Sequence, residues 1–345
     1  MELSPLTIGC IGVVVLLALC FAGVRFAFAG AIVGTLGLTA MLGWDAGIRT
    51  AGIVPFASGA NYTLSVLPMF ILIGYLAYYA GITQTAFEAA RRWFGWLPGG
   101  LATGTVFAVA GFSAVSGASS AAAAVFAKVA IPEMLRAKYD RRMAAGVCAA
   151  GATLDSLIPP STLLVVYGIV TEQSIGKLLI AGFVPGIFSA FVYAMIITYR
   201  CWRNPELGPR ITGYTWMQRA ESLPATTPIF LVILIIFLSM YFGWATPTEA
   251  GALGAFSVFG FALRNGIKRG ELRQCLLDSA KLTVMIFTEI WGVLIFVRFL
   301  GFSGMPEEIS NWVTHLALPP IAILLAIYVL YFILVRCSRA SACSC

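Results

Sequence analysis

The stretch Ile229-Phe-Leu-Val-Ile-Leu-Ile-Ile-Phe-Leu-Ser-Met-Tyr-Phe242 decides the fold class, because it contains no charged residue and no regular polar spacing. Strands of membrane barrels alternate apolar and polar residues, which this run does not do. A membrane-spanning helix needs about 20 mainly apolar residues. Similar runs recur at residues 6–22, 27–42 and 321–334. The sequence therefore predicts an all-α, polytopic integral membrane protein embedded in a lipid bilayer.

Composition supports this prediction. Of 345 residues, 60% are hydrophobic and 11% are charged, whereas a soluble domain carries about 25% charged residues. The eight cysteines include no CxxC pair, so the sequence predicts neither a disulfide framework nor a cysteine metal site. The net charge of +7 lies mainly in loops, where it indicates membrane topology and not nucleic-acid binding. No basic residue precedes Arg25, so we expect the first run to be a retained span and not a signal peptide.

Basic loops predict the orientation. Cytoplasmic loops are enriched in Lys and Arg, and two such loops flank a predicted helical hairpin formed by residues 229–242 and 250–263. The hairpin tip at residues 243–248 has no basic residue and is expected in the periplasm. The basic loops contain Arg136, Lys138, Arg141 and Arg142; Arg200, Arg203, Arg210 and Arg219; and Arg264, Lys268, Arg269 and Arg273.

The start of the chain repeats this hairpin in the opposite orientation. Its tip carries Arg25, and its ends are poor in basic residues. Sequence landmarks also recur in the second half of the chain: Leu64-Ser65 corresponds to Leu282-Thr283, and Trp93 corresponds to Trp312. Opposite orientation with matched landmarks is typical of the inverted-topology repeats of transporters. We predict a first repeat over 1–222, with a re-entrant hairpin at 53–80, a broken helix at 101–135 and a cytoplasmic connecting loop at 200–222, and a partial second repeat over 223–334.

Three segments place polar or helix-breaking residues at membrane depth. In Gly111-Phe-Ser-Ala-Val-Ser-Gly-Ala-Ser-Ser120, Ser113 and Ser116 share one helix face and Gly117 permits a break. Such backbone breaks occur where the chain lines a cavity or a protein interior. Small residues also serve plain helix packing in membranes, and the sequence leaves that alternative open.

The second segment is Gly151-Ala-Thr-Leu-Asp-Ser-Leu-Ile-Pro-Pro-Ser-Thr162. Because Pro159 and Pro160 lack N–H groups, the carbonyls of Asp155 and Ser156 lose their helical donors. Bare carbonyls at the negative end of a helix suit a small cation such as sodium. Ser161 is expected to cap the next helix. The remaining alternative is a simple kink or loop.

A third segment contains Asn61 and Ser65 shortly before Pro68, which we interpret as the polar tip of a re-entrant hairpin; an ordinary loop is equally compatible. Glu249, in Thr-Pro-Thr-Glu, is expected to form a helix cap. An intramembrane hydrolase built on Gly117-Ala-Ser-Ser would need a base, and the single histidine, His315, lies near the end of a short amphipathic stretch. We therefore predict no enzyme and no catalytic residues.

Several motifs together resemble the large membrane subunit, of the DctM type, of tripartite ATP-independent periplasmic (TRAP) transporters, over about residues 5–334. Besides the serine and double-proline segments, they are Lys128-Val-Ala-Ile-Pro-Glu-Met134, Tyr167-Gly-Ile-Val-Thr-Glu-Gln-Ser-Ile-Gly-Lys177, Ala181-Gly-Phe-Val-Pro-Gly186 and Thr246-Pro-Thr-Glu-Ala250. The resemblance implies a multi-pass permease of the bacterial inner membrane. It implies sodium-coupled import of C4-dicarboxylates or related organic acids by an elevator motion. It also implies a small four-helix membrane subunit and a periplasmic substrate-binding protein as partners.

The resemblance further implies site residues. The sodium ligands would be Ser113, Ser116, Asp155, Ile158 and Pro160, and sodium is the only ion or cofactor expected. Candidates for the substrate cavity are Asn61, Ser65, Ser119 and Ser161, and the structural breaks are Gly117, Pro159 and Pro68.

Two features depart from the family pattern. Many members have glycine at the position of Asp155. The tail over residues 335–345 is polar and unlike a span, where the family continues with a second broken helix. We therefore expect an aberrant tail and an incomplete second repeat, and an inactive fragment of a permease is the alternative to a working transporter.

Overall fold

The computed structural model describes residues 4–116, 119–210, 215–315, 319 and 321–329. Within these ranges the chain is helical and contains no strand, which confirms the all-α fold class. Among these residues, three helical segments are long and apolar enough to cross a membrane: Tyr62–Tyr79, Ile175–Arg203 and Arg269–Ser303. Gly117 and the predicted tail at 335–345 lie outside the described residues.

The chain forms two compact units, and the first combines Met1–Ala60 with Met285–Cys345. Its helices are α1 (Pro5–Phe21), α2 (Phe26–Leu42), α3 (Trp44–Gly59), the second half of a long helix described below and α15 (Met305–His315). The hairpin predicted at the start of the chain is formed, since α1 and α2 pack against each other on either side of Gly23. The core of this unit joins Ala29, Val33 and Leu38 to Phe296 and Phe299.

The second unit comprises Asn61–Val284. Its helices are α4 (Val66–Tyr79), α5 (Ile82–Phe94), α6 (Gly100–Ser116), α7 (Ser119–Arg136), α8 (Arg141–Thr153), α9 (Thr162–Val170), α10 (Ile175–Arg203), α11 (Trp216–Ala220), α12 (Leu223–Tyr241), α13 (Pro247–Arg264) and the first half of α14 (Arg269–Ser303). One core cluster of this unit joins α6, α7 and α8 to the segment that follows α8 and to residues of α10.

Helices α6 and α7 fold back on each other. The ring centroids of Phe112 and Phe126 lie 5.7 Å apart, although 14 residues of continuous helix would separate them by about 21 Å. The segment 101–135 is therefore a helical hairpin, which differs from the broken helix predicted for it. Ser116 ends α6 and Ser119 begins α7, and their side chains lie outside the described part of the structure.

Helices α12 and α13 form the hairpin predicted from the opening stretch. Thr246 caps α13, Pro247 occupies its first turn, and the carboxylate of Glu249 accepts a 2.7 Å hydrogen bond from the backbone N–H of Thr246. These two residues thus form a reciprocal capping box. The predicted capping role of Glu249 is confirmed.

The predicted hairpin at 53–80 contains a break at its expected position. Helix α3 ends at Gly59, and a 3-10 turn over Tyr62–Ser65 leads into α4. Because the arms before and after this break belong to different units, the re-entrant arrangement stays a prediction. The second repeat shows no such break, since α14 is continuous from Arg269 to Ser303.

Two glycines, one in each predicted repeat, make close helix contacts. In the first unit, a Cβ at Gly30 would lie 2.9 Å from the carbonyl oxygen of Gly292 in α14. In the second unit, a Cβ at Gly251 of α13 would lie 3.2 Å from Met69 of α4. Helix α2 thus packs on a helix of the other repeat, and α13 does the same. Such reciprocal packing between two halves of the chain is expected for two related repeats. The inverted orientation of the repeats stays a prediction.

The connecting loop predicted over 200–222 is tied to the ends of neighbouring helices. The hydroxyl of Tyr139 donates to the carbonyl of Pro209 over 3.0 Å and accepts from the backbone N–H of Leu101 over 3.2 Å. The N–H of Gly99 donates to the carbonyl of Gly208 over 3.1 Å. Burial raises the pKa of Tyr139 to about 12.

Candidate ion-binding site at the double proline

The double proline interrupts the chain between two helices, as the sequence predicted. Helix α8 ends at Thr153 and a 3-10 turn follows over Leu154–Ser156. The peptide bond between Pro159 and Pro160 is cis. Neither proline can donate to a helical carbonyl, so the helix stops before them and α9 begins at Thr162.

Ser161 stabilises both sides of this break. Its hydroxyl donates a 2.9 Å hydrogen bond to the carbonyl of Ser156 and accepts a 3.3 Å hydrogen bond from the N–H of Leu164. The predicted capping of α9 is therefore formed. The carbonyl of Ser156 is not bare, as the proline argument alone suggested, because the Ser161 hydroxyl occupies one of its two acceptor positions.

Ser113 is the buried polar side chain that stands out beside the break. It is 0% exposed, and its hydroxyl oxygen has no hydrogen-bond partner among the described residues. Buried polar groups are nearly always hydrogen-bonded, so an unsatisfied hydroxyl calls for a ligand or another specific explanation.

The serine and proline segments pack together. Helix α6, which carries Ser113, contacts the turn over Leu154–Ser156. Phe112 belongs to the same core cluster as Leu154 and Ile158. Ala114 and Pro159 line one narrow apolar crevice with residues of α10 and α12. The structure therefore brings together two segments that lie about 40 positions apart in the sequence.

Asp155 lies within the 3-10 turn and is 1% exposed. A buried carboxylate is costly unless it is paired, hydrogen-bonded or protonated. It adds oxygen acceptors to a region that otherwise offers hydroxyl and carbonyl oxygens. Groups of three or more His, Cys, Asp or Glu side chains that would hold a transition metal do not occur in the described residues.

Two glycines of α10 let the broken segment approach that helix closely. A Cβ at Gly182 would lie 2.5 Å from the carbonyl oxygen of Leu157, and a Cβ at Gly186 would lie 2.6 Å from Ile158 Cγ1. Both glycines belong to the motif Ala181-Gly-Phe-Val-Pro-Gly186, and no role was predicted for either of them. Their Gly-x-x-x-Gly spacing, which permits close helix contact in membranes, was the available signal.

Asn61 and Ser65 make local hydrogen bonds. The Asn61 side-chain oxygen accepts from the N–H of Thr63 over 3.0 Å, and the Ser65 hydroxyl donates to the carbonyl of Tyr62 over 2.6 Å. Pro68 lies in the first turn of α4. Helix α4 contacts α6 and α9, but a substrate role for Asn61 and Ser65 stays a prediction.

Comparison with known proteins identifies relatives over most of the chain. The family described as "Tripartite ATP-independent periplasmic transporter, DctM component" matches residues 9–339. The C4-dicarboxylate TRAP transporter large permease protein DctM of Pseudomonas aeruginosa is 34% identical over 300 residues, which cover 86% of this chain and 69% of that protein.

Other relatives are named for different substrates. The sialic acid TRAP transporter large permease protein SiaM of Vibrio cholerae is 29% identical over 326 residues, covering 92% of this chain and 74% of that protein. The ectoine/5-hydroxyectoine large permease protein UehC of Ruegeria pomeroyi is 28% identical over 298 residues, covering 84% of this chain and 65% of that protein.

Proposed function

This chain belongs to the DctM component family of tripartite ATP-independent periplasmic transporters, and on that basis we propose that it couples import of C4-dicarboxylates or related organic acids to sodium. Membership makes it a TRAP transporter large permease of the inner membrane, and a transporter rather than an enzyme. Sodium coupling, the substrate class and the elevator motion of a transport domain are the proposed parts.

The observation that carries sodium coupling is the fully buried Ser113 hydroxyl without a hydrogen-bond partner among the described residues. Ser113 lies in helix α6, which contacts the helix interruption that precedes Pro159 and Pro160. Interrupted helices in transporters coordinate sodium through unwound backbone carbonyls. Ser113 and the carbonyls of Asp155, Ile158 and Pro160 are the proposed ligands, together with Ser116.

The substrate class rests on the relatives. One relative that is 34% identical is named for C4-dicarboxylates, whereas relatives of 28–29% identity are named for sialic acid and ectoine. Large permeases of this family work with a small membrane subunit and a periplasmic binding protein. We propose the same partners for this chain, with Ser119 and Ser161 as further candidates for its substrate cavity.

Sodium binding is tested with Ser113→Ala. The purified chain should unfold at a higher temperature in sodium chloride than in choline chloride at equal ionic strength, and Ser113→Ala should lose that difference. Ser239→Ala is the matched control, because Ser239 is also buried but its hydroxyl donates to the carbonyl of Ile236 over 2.9 Å. Sodium stabilisation that survives in Ser113→Ala would overturn the proposed site.

Transport is tested in proteoliposomes that also contain the small subunit, with the binding protein and labelled succinate outside. We expect uptake that requires an inward sodium gradient. Uptake that is equal in choline would refute sodium coupling. Uptake of sialic acid in place of succinate would refute the proposed substrate class without affecting the ion site.

A further inference from the structure

A groove runs between α8 and α10 on the second unit, separate from the double-proline site. Its volume is about 540 Å³. Its lining combines apolar side chains with polar and charged ones. The lining residues are Asp140, Arg142, Met143, Gly146, Val147, Ala150, Tyr193, Ile196, Ile197, Arg200 and Leu207.

The groove exists because α8 presents small residues to a wall of large ones. Gly146 and Ala150 lie one turn apart on α8, and a Cβ at Gly146 would meet no atom within 4 Å. Tyr193 and Ile196 on α10 form the opposite wall. Ile196 is 50% exposed, so this apolar surface is open to whatever surrounds the helices.

Positive charge is confined to one end of the groove. Arg142 lies in the first turn of α8 and Arg200 in the last turn of α10, so the antiparallel helices place both at the same end. Neither guanidinium has a carboxylate oxygen within 4.0 Å in the described parts of the chain. Asp140, the acidic residue of the lining, uses its side chain to accept a 3.0 Å hydrogen bond from the N–H of Met143.

We propose that this groove binds one anionic phospholipid. Guanidinium groups form charge-assisted hydrogen bonds with phosphate, and basic pockets between membrane helices on the cytoplasmic side bind anionic lipid headgroups. Arg142 and Arg200 would hold the phosphate. An acyl chain would lie along Gly146, Ala150 and the wall of α10, over a length of about 12 Å for the eight helical steps from Arg142 to Ala150.

The location of both arginines at one end of the groove favours a lipid over an apolar helix of another subunit. A membrane helix packed along the whole groove would satisfy the apolar wall but would leave two arginines without anions. A lipid matches both parts, because its charge is at one end and its apolar chain extends into the bilayer. Arg142 and Arg200 lie at the ends of helices that adjoin two basic segments, which the positive-inside rule predicts to be cytoplasmic, so the lipid would belong to the inner leaflet.

Native mass spectrometry of the purified full-length chain tests the proposal. Dimyristoylphosphatidylglycerol is the probe, and phosphatidylcholine with the same chains is the zwitterionic comparison. We expect one phosphatidylglycerol to be retained preferentially. The double substitution Arg142→Gln/Arg200→Gln should reduce retention by about 25-fold, from a contribution of about fivefold for each arginine. Arg264→Gln/Lys268→Gln, which removes two positive charges elsewhere, should leave retention unchanged.

A second variant tests the apolar part without changing any charge. Gly146→Leu fills open space and should displace the lipid while both arginines remain. Gly52→Leu is its matched control, because Gly52 is also helical and a Cβ there would meet nothing within 4 Å. Equal retention of phosphatidylglycerol by Gly146→Leu and Gly52→Leu would refute lipid binding in this groove. Displacement by inorganic phosphate alone would refute a lipid and indicate a free-anion site.

Discussion

The hydroxyl of Ser161 bridges the double proline by donating a 2.9 Å hydrogen bond to the carbonyl of Ser156. The same oxygen caps α9 through the N–H of Leu164. One small side chain therefore satisfies backbone groups on both sides of the break. The buried position of Ser161, which is 0% exposed, means that water cannot replace it readily.

Ser161→Ala should therefore destabilise the protein. Loss of a helix cap costs about 1 kcal/mol, and a buried carbonyl left without its partner costs about 1–3 kcal/mol. Unfolding in a mild detergent, followed by circular dichroism, measures the change. Ser174→Ala is the control, because Ser174 precedes α10 without a side-chain capping bond. Equal effects of the two substitutions would show that the bridge contributes little.

Gly182→Ala should displace the broken segment from α10. The new methyl group would lie 2.5 Å from the carbonyl oxygen of Leu157 and 2.7 Å from Leu164 Cδ1, so backbone must move. We expect a loss of about 1–3 kcal/mol in the free energy of unfolding, which is the usual cost of overpacking.

Gly176→Ala provides the comparison on the same helix. A Cβ at Gly176 would meet only Pro247 Cγ, at 3.9 Å, so the substitution should be neutral or should gain up to about 1 kcal/mol of helix propensity. Thermal unfolding of both variants checks the difference. A Gly182→Ala variant as stable as Gly176→Ala would contradict the close approach.

The Tyr79 hydroxyl donates a 2.8 Å hydrogen bond to Asp278 and so joins α4 to α14 within the second unit. Tyr79→Phe should lower the free energy of unfolding by about 1 kcal/mol. Tyr78→Phe is the neighbouring control, since no hydrogen bond of its hydroxyl is seen among the described residues. A double-mutant cycle with Asp278→Asn measures the pair. A coupling energy near zero would show that the bond does not contribute to stability.

We expect the stability of the α12–α13 hairpin tip to depend on pH through Glu249. Hydrogen bonds from the N–H and the hydroxyl of Thr246 hold the pKa of the Glu249 carboxyl below its ordinary value. Because the folded-state pKa is depressed, the ionised Glu249 carboxylate stabilises the folded protein above the ordinary glutamate pKa of about 4.3. This stabilisation is lost as the pH falls through the lower, folded-state pKa.

The unfolding temperatures of the native chain and Glu249→Gln should therefore differ at pH 7 and converge toward pH 3. Thr246→Ala removes the side-chain donor and should shrink the difference at pH 7. A difference that stays constant with pH would argue that packing, and not the charge of Glu249, distinguishes the two proteins.

Local signals in the sequence predicted the features that depend on neighbouring residues. Thr246 and Glu249 are three positions apart, so their capping box follows from chain geometry alone. The break at Pro159 and Pro160 follows from missing N–H groups. In both cases the deciding interaction is local, and no tertiary contact was needed to anticipate it.

Features that depend on distant contacts were not predicted. A run of small residues permits either a kink or a full reversal, and only the packing of Phe112 on Phe126 distinguishes the two. The role of Gly182 depends on the carbonyl of Leu157, which belongs to a different helix connection. The hydrogen bond from Ser161 likewise depends on how the chain bends at the prolines.

In the first unit, Gly30 and Gly292 meet with main chain against main chain, and a Cβ at Gly292 would also collide with the carbonyl of Ala27. Because both residues are glycine, neither has a side chain that could be replaced by a smaller one to make room for a substitution at the other position. A substitution at one of these glycines therefore cannot be compensated by a simple substitution at the other. Selection must hold both positions together, so random mutagenesis should return almost no functional replacements at this crossing even if the surrounding apolar residues vary freely.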